Sequence, residues 1–62
     1  MKTPRSVMQR LSMIEIDIDR LRRAVVVDDV HAAVTECMKA MTKIGKLLII
    51  LIDLETKETK ND

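Results

Sequence analysis

Residues 27–54 read VDDVHAAVTECMKAMTKIGKLLIILIDL, and this stretch decides the fold. Near its start stand Asp28 and Asp29, either of which is a good helix N-cap. The apolar residues that follow are spaced alternately four and three apart, which predicts an amphipathic helix from about residue 30 to about residue 56. The predicted inner seam of this helix is Val30, Val34, Cys37, Met41, Ile44, Leu48 and Leu51, and Ala33, Ala40, Leu47 and Leu54 widen it.

The residues before this stretch predict a first helix from about residue 4 to about residue 26. Thr3 is a suitable N-cap and Pro4 fits the first helical position. A seam with the same alternating spacing follows, formed by Val7, Leu11, Ile14, Ile18, Leu21 and Val25. Ile14, Ile16 and Ile18 also alternate with acidic residues as in a half-buried strand, but a helix accounts for more of the residues.

A turn at residues 27–29 joins the two predicted helices. Because so short a turn makes the helices antiparallel neighbours, we predict a single all-α domain, an antiparallel two-helix hairpin spanning residues 1–62. The polar residues 57–62 are expected to form a solvated tail. In such a hairpin Glu15 and Asp17 are roughly level with the lysines at 43 and 39, and we expect these charged faces to be solvated.

The second helix carries more apolar surface than one hairpin can cover. Residues 44–54 are apolar nearly all round, which is typical of a helix buried on every side. We therefore predict a homodimeric four-helix bundle or a larger helical oligomer. The predicted oligomer core is Val7, Leu11, Ile14, Ile18, Leu21, Val25, Val34, Cys37, Met41, Ile44, Leu48 and Leu51. The candidate surface for a protein partner or for further copies is Met13, Ile16, Met38, Gly45, Ile49 and Ile52.

Gly45 stands in the middle of the outer line of the second helix. Inside a helix, glycine costs about 1 kcal/mol relative to alanine. Two interpretations are open, a close crossing by another backbone or a tolerated defect. A close crossing predicts that Gly45→Leu changes the mass of the protein in solution.

The composition excludes most kinds of chemistry. The 62 residues are 47% apolar and 34% charged, with no aromatic residue, one cysteine and one histidine. No nucleophile, base and orienting group can be nominated together, so we predict a protein that is not an enzyme, with no catalytic residue, cofactor or metal site. Cys37 is expected to be a small buried residue of the seam, and His31 a solvated residue beside the turn.

The sequence also predicts a cytoplasmic protein that does not interact with membranes. The longest uninterrupted apolar run, residues 47–52, is far shorter than the roughly 20 residues of a helix that spans a bilayer. The single cysteine cannot form a disulfide within the chain, which is typical of a reducing compartment.

Basic residues suggest an alternative partner, RNA or DNA. Lys39, Lys43 and Lys46 share one side of the second helix, and Arg20, Arg22 and Arg23 cluster near the end of the first. Such residues neutralise phosphates, but recognition of single strands usually adds aromatic stacking, and the chain has no aromatic residue. Protein–protein interaction therefore remains the main prediction.

The two seams around a short Asp28-Asp29 turn resemble the small helical-hairpin accessory and regulatory proteins of phages and plasmids, which have a Rop-like architecture. The resemblance covers nearly the whole chain as a pattern, without a motif that matches residue by residue. It implies a non-enzymatic homodimer that regulates a process by binding. The aromatic residue with which Rop binds RNA has no counterpart here, so no functional residue is carried over.

Overall fold

The structure, a computed structural model, describes the backbone of residues 4–60 and the side chains of residues 4–57. Two helices, α1 (Arg5–Val26) and α2 (Val30–Lys60), pack side by side as a hairpin. The prediction of an all-helical chain is confirmed. The strand alternative at residues 14–18 is wrong, since these residues lie inside α1 and the described part of the chain contains no strand.

The start of α1 follows from Pro4. Pro4 has an extended backbone (φ −61°, ψ 150°) and is the N-cap residue, and its carbonyl accepts a hydrogen bond from the Val7 amide at 3.1 Å. No side chain among the described residues caps this end of the helix. The predicted cap, Thr3, lies outside the described residues.

The turn closes α1 and starts α2 through backbone hydrogen bonds. Asp28 has a positive φ of 59°, and the amides of Asp28 and Asp29 donate to the carbonyls of Val25 (3.1 Å) and Ala24 (2.9 Å). This is the arrangement that ends many helices, with a left-handed residue just after the last turn. Asp29 is the N-cap of α2, because its Oδ1 accepts a hydrogen bond from the Ala32 amide at 3.0 Å.

The second helix continues to Lys60, beyond the predicted end near residue 56, so residues 57–60 do not form a separate tail. No glycine or proline stands in this segment to stop the helix. Lys57 Nζ lies 3.1 Å from Asp53 Oδ2, an ion pair across one helical turn that supports the continuation. Residues 61–62 lie outside the described residues.

The contact between the helices is shifted from the predicted seam. Most of its members are small or apolar, and the buried residues are Val7, Ile14, Asp17, Ala24, Ala40 and Leu47. Ile50, Leu51 and Leu54 pack against the cluster of Val7, Ile14 and Leu47 at the end away from the turn. The residues that widened the predicted stripe on α2 therefore form the seam itself, since alanine allows two helices to approach closely.

The hairpin is a single layer of helices. Its extents are 50 × 16 × 12 Å, and the smallest extent equals the diameter of one helix, about 10–12 Å with side chains. The chain exposes 5192 Å², about 1,100 Å² more than the roughly 4,100 Å² expected for a compact monomer of 7.1 kDa. Stable domains bury their apolar faces between at least two layers of secondary structure. This hairpin has one layer, so no second layer covers either of its broad faces.

Candidate interaction surfaces

One broad side of the hairpin, here called the apolar face, holds most of the residues predicted for the oligomer core. On α1, residues 11, 18 and 25 each follow a seam residue by four positions, so they lie together on one flank of the contact. On α2 the corresponding flank begins at Val30. All members are exposed except Leu51, which is half-buried, and they are Leu11, Ile18, Val25, Val30, Val34, Cys37, Met41, Ile44, Leu48 and Leu51.

This placement corrects the expectation that the hairpin alone buries both predicted seams. Val7 and Ile14 are buried and Leu21 is half-buried, but Leu11, Ile18 and Val25 remain exposed. On α2, only Leu51 of the predicted seam is even half-buried. Cys37 is exposed, so the prediction that the hairpin buries it is wrong. The physical reason is that α2 turns Ala40 and Leu47 toward α1, and not the flank on which Cys37 lies.

A groove of about 340 Å³ opens on the apolar face beside the turn. The groove forms because Ala24 and Ala33, which lie where the two helices meet, have small side chains. Both helices contribute to it, and it is lined by Leu21, Ala24, Val25, Asp28, Asp29, Val30, Ala33, Val34 and Cys37. A cavity of about 150 Å³ already holds a benzene molecule, so this groove can accept more than one apolar side chain.

The opposite broad side of the hairpin is basic. Arg10 and Met13 of α1 and Lys43 and Lys46 of α2 line one groove of about 210 Å³ there. Sequence reasoning missed Arg10, although it precedes Asp17 by seven residues and therefore lies on the same side of α1.

The lysines of the predicted ridge have carboxylate neighbours. Lys43 Nζ lies 2.8 Å from Asp17 Oδ2, and Lys39 Nζ lies 3.6 Å from Glu36 Oε1. The predicted register of the two helices is nearly right at this point. The sequence predicts that Asp17 lies level with Lys39, and it pairs with Lys43, four residues further along α2. The expectation of solvated faces is wrong for Asp17, whose side chain is 2% exposed.

The ion pair of Asp17 is incompletely satisfied. Asp17 Oδ2 and Glu36 Oε2 are buried and accept no hydrogen bond, so the contact of Asp17 with Lys43 is a close charge pair without hydrogen-bond geometry. A buried carboxylate without a cation is costly. The hairpin therefore depends on Lys43 staying in place, and Lys43 is not free to bind a phosphate.

The three arginines do not form one patch. All are exposed, and Arg20 and Arg23, three residues apart, share one side of α1, whereas Arg22 lies on another side. Arg23 Nη2 forms an ion pair with Asp19 Oδ2 at 2.9 Å. The structure therefore divides the predicted basic surface into the groove around Arg10 and Lys46 and separate arginines near the turn.

A third surface, here called the outer line, runs along α2 on the side away from α1. It consists of Met38, Thr42, Gly45, Ile49 and Ile52, all of them exposed. The Thr42 hydroxyl donates to the Met38 carbonyl at 3.0 Å, so the hydroxyl is satisfied within the helix. The predicted patch of Met13 and Ile16 is also exposed, but it lies on α1 and is not continuous with the outer line.

Gly45→Ala is expected to raise the free energy of unfolding by about 1 kcal/mol, because alanine is the better helix former. Apart from the neighbouring residues and the backbone of the surrounding helix turns, no atom lies within 4 Å of the position that a Cβ would occupy, so no packed side chain opposes the change. Urea unfolding and light scattering of both proteins would measure it. A loss of stability or a change of mass would mean that another copy crosses closely at Gly45.

Among residues 4–57, the remaining reactive side chains do not come together as a site. His31 is exposed in the first turn of α2, and no group of three His, Cys, Asp or Glu within the described residues is placed to hold a metal ion. Neither described helix combines the length and the apolar character needed to cross a membrane.

Comparison with protein-family models, with curated proteins and with solved structures finds no match to this chain. The function is therefore inferred from the surfaces themselves, beginning with the exposed apolar face.

Proposed function

We propose that this chain is a non-enzymatic regulatory or accessory protein that acts in the cytoplasm through protein–protein contacts, as a helical homodimer. The apolar face is the observation that carries the proposal. Contiguous apolar surface of this extent on a small protein marks an interaction site. A second hairpin on this face would complete the two layers of a four-helix bundle. The resemblance to accessory proteins of phages and plasmids points the same way and suggests such an origin.

Light scattering of the purified protein tests the homodimer directly. We expect a mass of twice the 7.1 kDa of the chain at micromolar concentration. Because association stabilises the folded state by mass action, the melting temperature should rise with protein concentration. A folded monomer whose melting temperature does not depend on concentration would contradict the proposal.

The outer line is the surface that we assign to a protein partner of the dimer. It lies on the side of α2 away from α1 and outside the apolar face, so a second copy on the apolar face leaves it accessible. Its methionine suits an adaptable contact. A tagged pull-down with the wild-type protein and with Ile49→Asp, both treated with nuclease, tests this assignment. We expect a stoichiometric protein that the wild type binds and the variant loses while the variant keeps its dimer mass.

Nucleic-acid binding is the second candidate, and the exposed Arg10 and Lys46 that line one groove favour it. Each phosphate contact of this kind would make binding weaker at higher salt. In the same pull-down, captured material that disappears with nuclease and with Lys46→Glu, but survives Ile49→Asp, would support this candidate over the first. Lys43 is unsuitable for this test because it balances the buried charge of Asp17.

A further inference from the structure

Two hairpins can cover each other's apolar faces in two ways, with their turns at opposite ends or at the same end. Resting on the homodimer proposed above, we infer that the partner on the apolar face is a second copy with its turn at the opposite end. In this arrangement α1 lies on α1 of the second copy, and α2 lies on α2 of the second copy, both antiparallel.

Apart from Val30 beside the turn, the apolar face is symmetric about one line across the hairpin. On α1 it runs from Leu11 to Val25, and Ile18 is the midpoint. On α2 the part from Val34 to Leu51 has its midpoint between residues 42 and 43. The ion pair of Asp17 with Lys43 sets the relative level of the helices, and it places Ile18 level with that same point. A two-fold axis through this line therefore places each half of the face on the other half.

The sizes of the residues match across this axis. Antiparallel pairing about residue 18 places Leu11 opposite Val25 of the second copy. Pairing about the midpoint of α2 places Cys37 opposite Leu48 and Val34 opposite Leu51 of the second copy. Small residues near the turn thus meet leucines from the open end. These leucines fill the groove of about 340 Å³ that the alanines leave beside the turn.

The charges at the edge of the face discriminate between the two arrangements. Glu15, Asp19 and Arg22 line a groove on α1 together with Ile18, and Asp19 forms an ion pair with Arg23 of its own chain. With the turns at opposite ends, Glu15 meets Arg22 of the second copy, and the symmetry makes this pair twice. With the turns at the same end, α1 lies on α2 of the second copy, so Glu15 lies level with the apolar residues near Ile44 and Arg22 lies level with Cys37 and Met41. Burying a charge without a partner is unfavourable, so the first arrangement is preferred.

The area also fits a second copy. If a second copy covered an area on each chain equal to this excess of about 1,100 Å², the interface would total roughly 2,200 Å². Stable homodimer interfaces begin at about this size, whereas weak transient contacts bury less than about 1,200 Å².

Disulfide trapping with Leu48→Cys tests the arrangement. The thiol introduced at position 48 would face Cys37 of the second copy, so mild oxidation should convert nearly all of the protein to a covalent dimer. The wild type should stay unlinked, because its two Cys37 residues lie roughly 16 Å apart along the bundle and a disulfide requires about 7 Å or less between Cα atoms. Leu48→Cys combined with Cys37→Ser should also stay unlinked.

A second variant keeps the test decisive if position 48 does not tolerate cysteine. Ile18→Cys combined with Cys37→Ser places one thiol at the two-fold axis, where it meets its own copy only if the turns are at opposite ends. Covalent dimers of both variants on non-reducing gels would support the arrangement. A dimer by light scattering that neither variant cross-links would overturn the arrangement and leave the homodimer standing. A monomer by light scattering would overturn both.

Discussion

Replacing Ile44 with aspartate is expected to dissociate the homodimer at micromolar concentration. Ile44 lies beside the centre of the apolar face, so symmetry places the substitution in the interface twice. Losing about 2 kcal/mol of apolar burial on each chain raises the dissociation constant roughly a thousand-fold, and the cost of desolvating two carboxylates adds to this. Sedimentation equilibrium of the wild type and the variant would measure the change.

The matched control is Ile49→Asp, the same substitution five residues further along α2. Ile49 is 69% exposed and Ile44 is 46% exposed, and Ile49 lies on the outer line instead of the apolar face. We expect Ile49→Asp to keep the dimer mass and the helix content. Equal dissociation of the two variants, or of neither, would show that the apolar face is not the self-association surface.

The dissociated Ile44→Asp chain should also lose helix content. Within one chain the buried cluster is small, with Val7, Ile14 and Leu47 at its centre. A domain of this size without disulfides or metals rarely gains more than about 3–5 kcal/mol from its core. Circular dichroism at the concentrations of the sedimentation experiment would therefore report a lower helix content for Ile44→Asp than for Ile49→Asp.

The type and order of the elements could be predicted from the sequence because they depend on local chemistry. Apolar residues spaced alternately four and three apart fall on one side of a helix, so their spacing predicts both helices. Asp29 accepts a hydrogen bond from the Ala32 amide, one of the amides at the start of α2 that have no partner within the helix. The homodimer predicted from the surplus of apolar residues stays a prediction. The residues of the dimer interface could not be identified in detail, because the sequence of one chain does not show which of its surfaces a second copy covers.

The choice between two flanks of each helix could not be predicted. Val7, Ile14 and Leu21 belong to both possible seams of α1. The other residues of the seam can lie three positions after each of these, where Arg10, Asp17 and Ala24 stand. They can also lie four positions after, where Leu11, Ile18 and Val25 stand. Hydrophobicity alone favours the second set. The hairpin uses the first because alanines permit close helix contact and Lys43 balances Asp17, which leaves the more apolar flank for a larger interface.

Replacing Lys43 with methionine is expected to lower the free energy of unfolding by about 3 kcal/mol. The substitution leaves the Asp17 carboxylate buried without a cation, and breaking a buried pair in this way costs roughly 3–5 kcal/mol. The lower end of that range applies because the Lys43 side chain is 37% exposed and water screens part of the attraction. Urea unfolding at one fixed protein concentration, followed by circular dichroism, would measure the loss.

Two further variants separate the charge from the side chain. Lys46→Met makes the same substitution three residues along α2, where no carboxylate of the described residues pairs with the lysine, and it should change stability by less than about 0.5 kcal/mol. Asp17→Leu combined with Lys43→Met removes both charges and should recover or exceed the wild-type stability, since apolar replacements of buried ion pairs are often stabilising. Equal losses from Lys43→Met and Lys46→Met would mean that Asp17 reaches water. The stabilities of Lys43→Met and Lys46→Met also show which of the two lysines can bind a ligand, because only a lysine whose removal leaves the fold intact is free to do so.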